Sequence, residues 1–309
     1  EGGALVVLGD DPWSDSTQVP ADSRYLCKHL MMPVMEPSDP QELKDWIGLG
    51  FQVSRESELY LGYLVTTNQA DGGGSVEVRS NCFPRVNTNH QIELDTAAID
   101  FERNILLPPR TWRKEQSMPE RVGRLWASAR RLGLNRVFPA VRGDHQGVGF
   151  VTSAAAFCYL RHALAELGLE GRFPILKVGI TYPLDPELIR EFARGLTDLY
   201  VIEERRPFLE EQVVEIAHRA GREEHGGGQA VRVWGKQFPY GLKGIPDTRG
   251  LNPSKLIDRI GRLCLAHPGL AGTVEAARLQ REVDLIATLK NSPVRANLRT
   301  PTFCPGCPH

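Results

Sequence analysis

Two cysteines three residues apart, Cys304 and Cys307, sit in the run Cys304-Pro305-Gly306-Cys307-Pro308-His309. Thiolates at that spacing, on one glycine-containing turn, can grip a single metal centre or an iron–sulfur cluster. Such a cluster takes four ligands, and no further cysteine follows. The site therefore either borrows ligands from elsewhere or belongs to a longer polypeptide. His309 can act as a third ligand in a zinc arrangement, which still leaves a tetrahedral site one ligand short. His29, His90, His145, His162, His218, His225 and His267 show no metal-binding spacing among themselves.

A second candidate lies near the start. The apolar run Ala4–Leu8 reads as a buried parallel strand and ends in Asp10-Asp11-Pro12-Trp13-Ser14-Asp15-Ser16-Thr17. Ligand sites of open α/β sheets lie at the carboxyl ends of strands, which makes Asp10, Asp11, Ser16 and Thr17 candidates for binding. The plainer reading is that Ser14, Asp15 or Ser16 caps the helix that follows. Further on, Glu203-Glu204-Arg205-Arg206 is read either as a charge network at an interface or as a solvated turn. No catalytic residue can be named from the sequence.

Composition limits what these residues can serve. A formal net charge of −1 argues against binding nucleic acid or a membrane surface non-specifically. No apolar run reaches the length of a membrane span. Cys27, Cys82, Cys158 and Cys264 are scattered and make no disulfide framework, so a reducing, cytoplasmic setting is expected. Cys158 reads as a small core residue. There is no G-x-G-x-x-G in the right context, no P-loop, no H-E-x-x-H and no G-x-S-x-G. The chain opens with Glu1, one residue from a core strand, and is expected to be a fragment of a longer polypeptide.

Elements that would position the candidates follow an α/β rhythm. A helix is predicted over Asp22–Leu30 and a short strand over Met32–Met35. A further helix starts with Ser38 as N-cap and Pro40 in its first turn. Leu59–Val65 is another buried strand. From Gly72 to about Ala140 only Glu120–Leu132 reads as helix, and the rest is expected to be a connector. Then come strands at 147–153, 174–180, 199–202 and 230–235, with helices Ala154–Leu167, Pro186–Arg194 (capped by Asp185) and Pro207–Ala220 between them. That is a parallel β-α-β sheet. Two helices follow, from Asn252-Pro253 to Cys264 and over Gly272–Leu289.

Three blocks resemble indolepyruvate ferredoxin oxidoreductases, in that family's order. Gly2–Asp11 with Ser16-Thr17 and Pro33–Glu42 resembles its pyrimidine-side thiamine diphosphate domain. Leu176–Leu184 and Val201–Arg205 resemble its transketolase C-terminal-like domain. Arg299–His309 resembles the opening of its diphosphate-side domain. The first block is closest to the long, fused bacterial enzymes. The resemblance implies an α/β chain: the end of a thiamine-diphosphate pyrimidine-type domain (1–71), a connector with a helix (72–145), a transketolase C-terminal-like parallel β-α-β domain (146–240), a helical linker (241–298) and the start of a diphosphate-type domain (299–309).

In that family an arylpyruvate (indolepyruvate or phenylpyruvate) is oxidatively decarboxylated with thiamine diphosphate and Mg²⁺. Electrons pass through [4Fe–4S] clusters to ferredoxin, and coenzyme A takes the acyl group. The resemblance thus implies Cys304 and Cys307 as cluster ligands, with Asp10, Asp11, Ser16, Thr17 and His309 near thiamine diphosphate or substrate. It also implies the remaining parts of the enzyme as partners and a homo-oligomer. The family's activating glutamate and its Mg²⁺-diphosphate motif do not occur in these 309 residues, so the chain alone is expected to be inactive. Two alternatives stay open: a non-redox thiamine module of transketolase or dehydrogenase β-subunit type, and a non-catalytic module ending in a zinc knuckle.

Overall fold

The computed structural model describes residues 3–14, 17, 19–80, 95–223 and 231–291. Two β-sheets organise the chain. The first is built from β1 (Leu5–Asp10), α1 (Arg24–His29), β2 (Val34–Met35), α2 (Pro40–Ser57) and β3 (Leu61–Thr66). Short helices α3 (Thr67–Asp71), α4 (Phe101–Asn104) and α5 (Arg110–Gln116) lead to α6 (Met118–Arg131). The second sheet takes β4 (Arg136–Phe138), β5 (Val148–Ser153), α7 (Ala154–Glu166) and β6 (Ile175–Val178). Then come β7 (Ile180–Tyr182), α8 (Pro186–Ala193), β8 (Asp198–Ile202), α9 (Phe208–Glu223) and β9 (Arg232–Trp234). Helices α10 (Pro253–Ala266), α11 (Pro268–Ala271) and α12 (Ala276–Asn291) finish the described chain. No helix among the described residues is long and apolar enough to cross a membrane.

The strand order is β1-β3-β2-β7 in one sheet and β4-β6-β5-β8-β9 in the other. In the second, β6, β5, β8 and β9 run parallel, as the β-α-β rhythm predicts. β4 adds an antiparallel edge inside the stretch expected to be a connector. Its three residues are too few to show a periodic pattern. Helix α6 of the same stretch packs on α2 and buries Leu125 and Ala129 with Trp46 and Val53.

The run 174–180, expected as one strand, is two. β6 pairs with β5 in the second sheet, while β7 pairs antiparallel with β2 in the first. Gly179 is the crossing point. A Cβ there would strike the Leu134 carbonyl and the Trp46 ring, so only glycine lets the backbone pass. The Asn135 carboxamide oxygen accepts the Gly179 and Ile180 N–H groups and satisfies the backbone between sheets.

β1 also departs from expectation. It is parallel to β3, but it is an edge strand, with Val7 72% exposed. An apolar run reads the same whether one or both flanks are covered. The cap of α2 is shifted by one residue. The Asp39 carboxylate accepts the Glu42 N–H, while the Ser38 N–H and hydroxyl both donate to the Glu42 carboxylate. Asp185 and Asn252 cap α8 and α10, each with proline at the first position. The last helix starts at Ala276, not Gly272, because α11 intervenes. The region expected as a helical linker joins the core instead: Leu256, Ile260, Leu263 and Leu279 pack with Leu160 and Leu164 of α7. Their burial contributes roughly 2 kcal/mol per side chain.

Candidate functional site

The carboxyl ends of β1, β2, β3, β5 and β8 converge on one cleft between the sheets. Asp10, Arg24, Glu36, Thr66, Ser153, Glu204 and Arg205 are among its lining residues. Each strand delivers its polar residue where the ladder ends, the place open α/β sheets offer to ligands.

A buried charge network forms its floor. Arg24, at the start of α1, gives Nε and Nη2 to the Asp22 carboxylate at 2.7 and 2.9 Å. Its Nη1 donates to Glu203 at 3.1 Å and its Nη2 to the Glu204 carbonyl at 2.9 Å. Burial opposes the guanidinium charge, but the Asp22 hydrogen bond and the Glu36, Asp22 and Glu203 carboxylates hold its pKa above the ordinary arginine value. Glu203 is fully buried and also accepts the N–H groups of Phe208, Leu209 and Glu210, which caps α9. The Glu203–Arg206 run is therefore an interface between the two sheets and not a solvated turn.

Glu36, just past β2, is 4% exposed, and its carboxylate accepts the Thr181 hydroxyl at 2.5 Å. Burial pushes its pKa up to about 7, against the opposing pull of Arg24 and Thr181. Burial likewise raises Glu204, which accepts the Leu251 N–H at 2.6 Å. Thus the cleft holds one carboxyl poised to exchange a proton near neutrality.

Of the residues singled out in the sequence, Asp10 lines the cleft and accepts the Ser23 N–H and hydroxyl at 2.8 and 2.5 Å. Asp11 instead folds its own loop, accepting the Thr17 N–H and hydroxyl. The loop is pinned to the second half through Trp13, which lies over Gly250 and under the Lys255 ammonium, 4.7 Å from the ring centre. Ser16, Cys304, Cys307 and His309 lie outside the described residues. Cys158 is partly buried, with its Sγ donating to the Ser38 carbonyl.

Arg24, Glu36 and Ser153 are not candidates in the sequence, where Glu203 and Arg205 stand only as charges of an interface or a turn. The Glu36-Pro37 and Glu203–Arg206 placements, each just past an apolar strand, were the signals available. No three His, Cys, Asp or Glu side chains among the described residues could hold a metal ion. The cleft has room for about 30 Å³, far less than thiamine diphosphate needs, and acidic groups line much of it. The described residues thus do not by themselves fit thiamine diphosphate, Mg²⁺ or a cluster.

Known proteins set this geometry in context. Residues 140–283 match the family model described as "Indolepyruvate oxidoreductase domain". The indolepyruvate oxidoreductase subunit IorA of Methanothermobacter thermautotrophicus is 30% identical over 308 residues, 99% of this chain and 43% of that protein. That of Thermococcus kodakarensis is 24% identical over 100% of this chain and 43% of its own length. The chain thus spans less than half of these relatives. The structure of 2-oxoglutarate:ferredoxin oxidoreductase from Magnetococcus marinus aligns with a TM-score of 0.47 at 14% identity, covering 84% of this chain and 48% of that one. The chain is thus similar to indolepyruvate oxidoreductases in one matched domain and, along nearly its whole length, to their IorA subunits.

Proposed function

We propose that this chain forms part of a 2-oxoacid oxidoreductase acting on arylpyruvates such as indolepyruvate and phenylpyruvate. The carrying observation is the alignment of nearly the entire chain with indolepyruvate oxidoreductase subunits. The reaction gives acyl-coenzyme A and carbon dioxide, with electrons passing through iron–sulfur clusters to ferredoxin. Thiamine diphosphate with Mg²⁺ supplies the carbon chemistry when bound. Its site is completed by residues other than the described ones, and Asp10, Asp11, Ser16, Thr17 and His309 are the proposed contributors from this chain. Cys304 and Cys307 are proposed ligands of a [4Fe–4S] cluster, a role that soft thiolates suit.

This reading divides the chain into a pyrimidine-type unit carrying β1–β3 and a transketolase C-terminal-like unit carrying β5, β6, β8 and β9. The charge network at the cleft would hold the two in register. The test is anaerobic, arylpyruvate-dependent reduction of a viologen dye by the protein purified with its partner subunits. Reduction that requires coenzyme A, and loss of iron on Cys304→Ser and Cys307→Ser substitution, is the expected result. Zinc in place of iron, or no reduction with any arylpyruvate, would refute it.

A further inference from the structure

We propose that the cleft between the sheets binds an oxyanion, the phosphate or carboxylate group of a small molecule, on Arg205 and the first turn of α7. The first turn of a helix leaves its N–H groups without intrahelical acceptors, and the helix dipole adds partial positive charge there. Helix α7 runs for 13 residues, and Ala154, Ala155 and Ala156 of its first turn line the cleft. Its N-cap Ser153 makes no side-chain cap bond and lines the same space. With alanines in the first turn, little side-chain bulk lies between the N–H groups and a ligand.

Arg205 supplies the second, independent observation. It is 8% exposed, lines the same cleft, and its Nε is buried without a hydrogen-bond partner. Its neighbours behave otherwise: Arg24 is saturated by Asp22, Glu203 and Glu204, and Arg206 lies over the Tyr25 ring. A buried guanidinium is costly to leave unpaired, and its rigid fork of donors matches the oxygens of a carboxylate or phosphate. The backbone carries both groups in left-handed conformations, with φ of 65° at Arg205 and 47° at Ala154. Asp10, Asp22, Glu36 and Glu204 also line the cleft, but each already accepts from its own donor: Ser23, Arg24, Thr181 and Leu251 respectively. The space of about 30 Å³ is the size of roughly one water, so an entering head group must displace the side chains that line it. Asp10, a proposed contributor to the thiamine diphosphate site, lines the same cleft, so the anion site adjoins that proposed site, while its test does not depend on the reaction.

Calorimetric titration of the protein with inorganic phosphate and, separately, acetate at fixed ionic strength tests the inference. Saturable binding of at least one anion is expected, and the tighter of the two identifies the head group. Arg205→Gln should weaken it at least about tenfold, the loss of a charge-assisted bidentate contact. Ser153→Asp should do the same without touching Arg205, because its carboxylate would satisfy the α7 N–H groups itself. Absence of saturable binding by either anion would overturn the site. So would undiminished binding in a folded Arg205→Gln variant or, should that variant not fold, in Ser153→Asp.

Discussion

Two buried ion pairs tie the first sheet to the second, and they are built in opposite ways. Arg24–Glu203 sits at the cleft amid further charges: Asp22, Glu36, Glu204 and the N-terminus of α9 all converge on it. Lys177–Glu42 is equally buried, and its ammonium rests 5.3 Å from the Trp46 ring centre and 5.0 Å from that of Phe157. At the cleft, charge is compensated by more charge and by backbone dipoles. In the interior, one cation is enclosed by aromatic faces and one carboxylate, which also accepts from Ser38. The difference separates a polar surface that can still take up a ligand or a proton from a contact that only joins two units.

The largest effect is expected of Glu203→Ala. It removes the Glu203 partner of Arg24, which keeps Asp22, and leaves three N–H groups of α9 uncapped, so a loss of about 4 kcal/mol is expected in chemical denaturation. Lys177→Met should cost less, about 3 kcal/mol, because Glu42 keeps its two Ser38 donors. The double variant Lys177→Met with Glu42→Gln should recover most of that loss, since the amide removes the stranded charge and its oxygen still accepts from Ser38. Failure to recover would mean that the pair specifies the packing of α2 on β6.

Protonation sharpens the contrast. Glu36 has its folded pKa raised from 4.5 to about 7. Between those values the folded protein holds a proton that the unfolded chain has released. Stability from this group is therefore present at low pH and falls as pH rises through that window. Glu36→Gln should flatten the slope and raise stability at pH 8 by about 2 kcal/mol, with little effect at pH 4. An unchanged pH profile would remove Glu36 from the account. The smallest effect is expected on the exposed edge: Val7→Lys should shift stability by less than about 0.5 kcal/mol.

The elements were mostly legible because their signals are local. Asp185-Pro186 and Asn252-Pro253 announce their helices within two residues, and the apolar runs at 148–153 and 199–202 read as strands. The loop after β1 was legible as a place where polar residues gather at a strand end. Its roles were not: Asp10 and Asp11 both bear carboxylates, but one lines the cleft and the other folds its own loop. Arg205 and Arg206 are likewise neighbours of one type, one buried without a partner and one stacked on Tyr25.

The chain's own order of residues determined the α/β class, most helix starts, the strand ends that carry polar groups and the relatives it resembles. Each depends on neighbours within a few positions or on matching such runs to relatives. Tertiary structure alone decided that residues 175–182 serve two sheets, that Glu36 and Glu203 are buried, and that Arg24, 179 residues from Glu203, is its partner. Those outcomes depend on which surfaces meet across the cleft, and burial there sets the charges and proton affinities that no short stretch of sequence encodes.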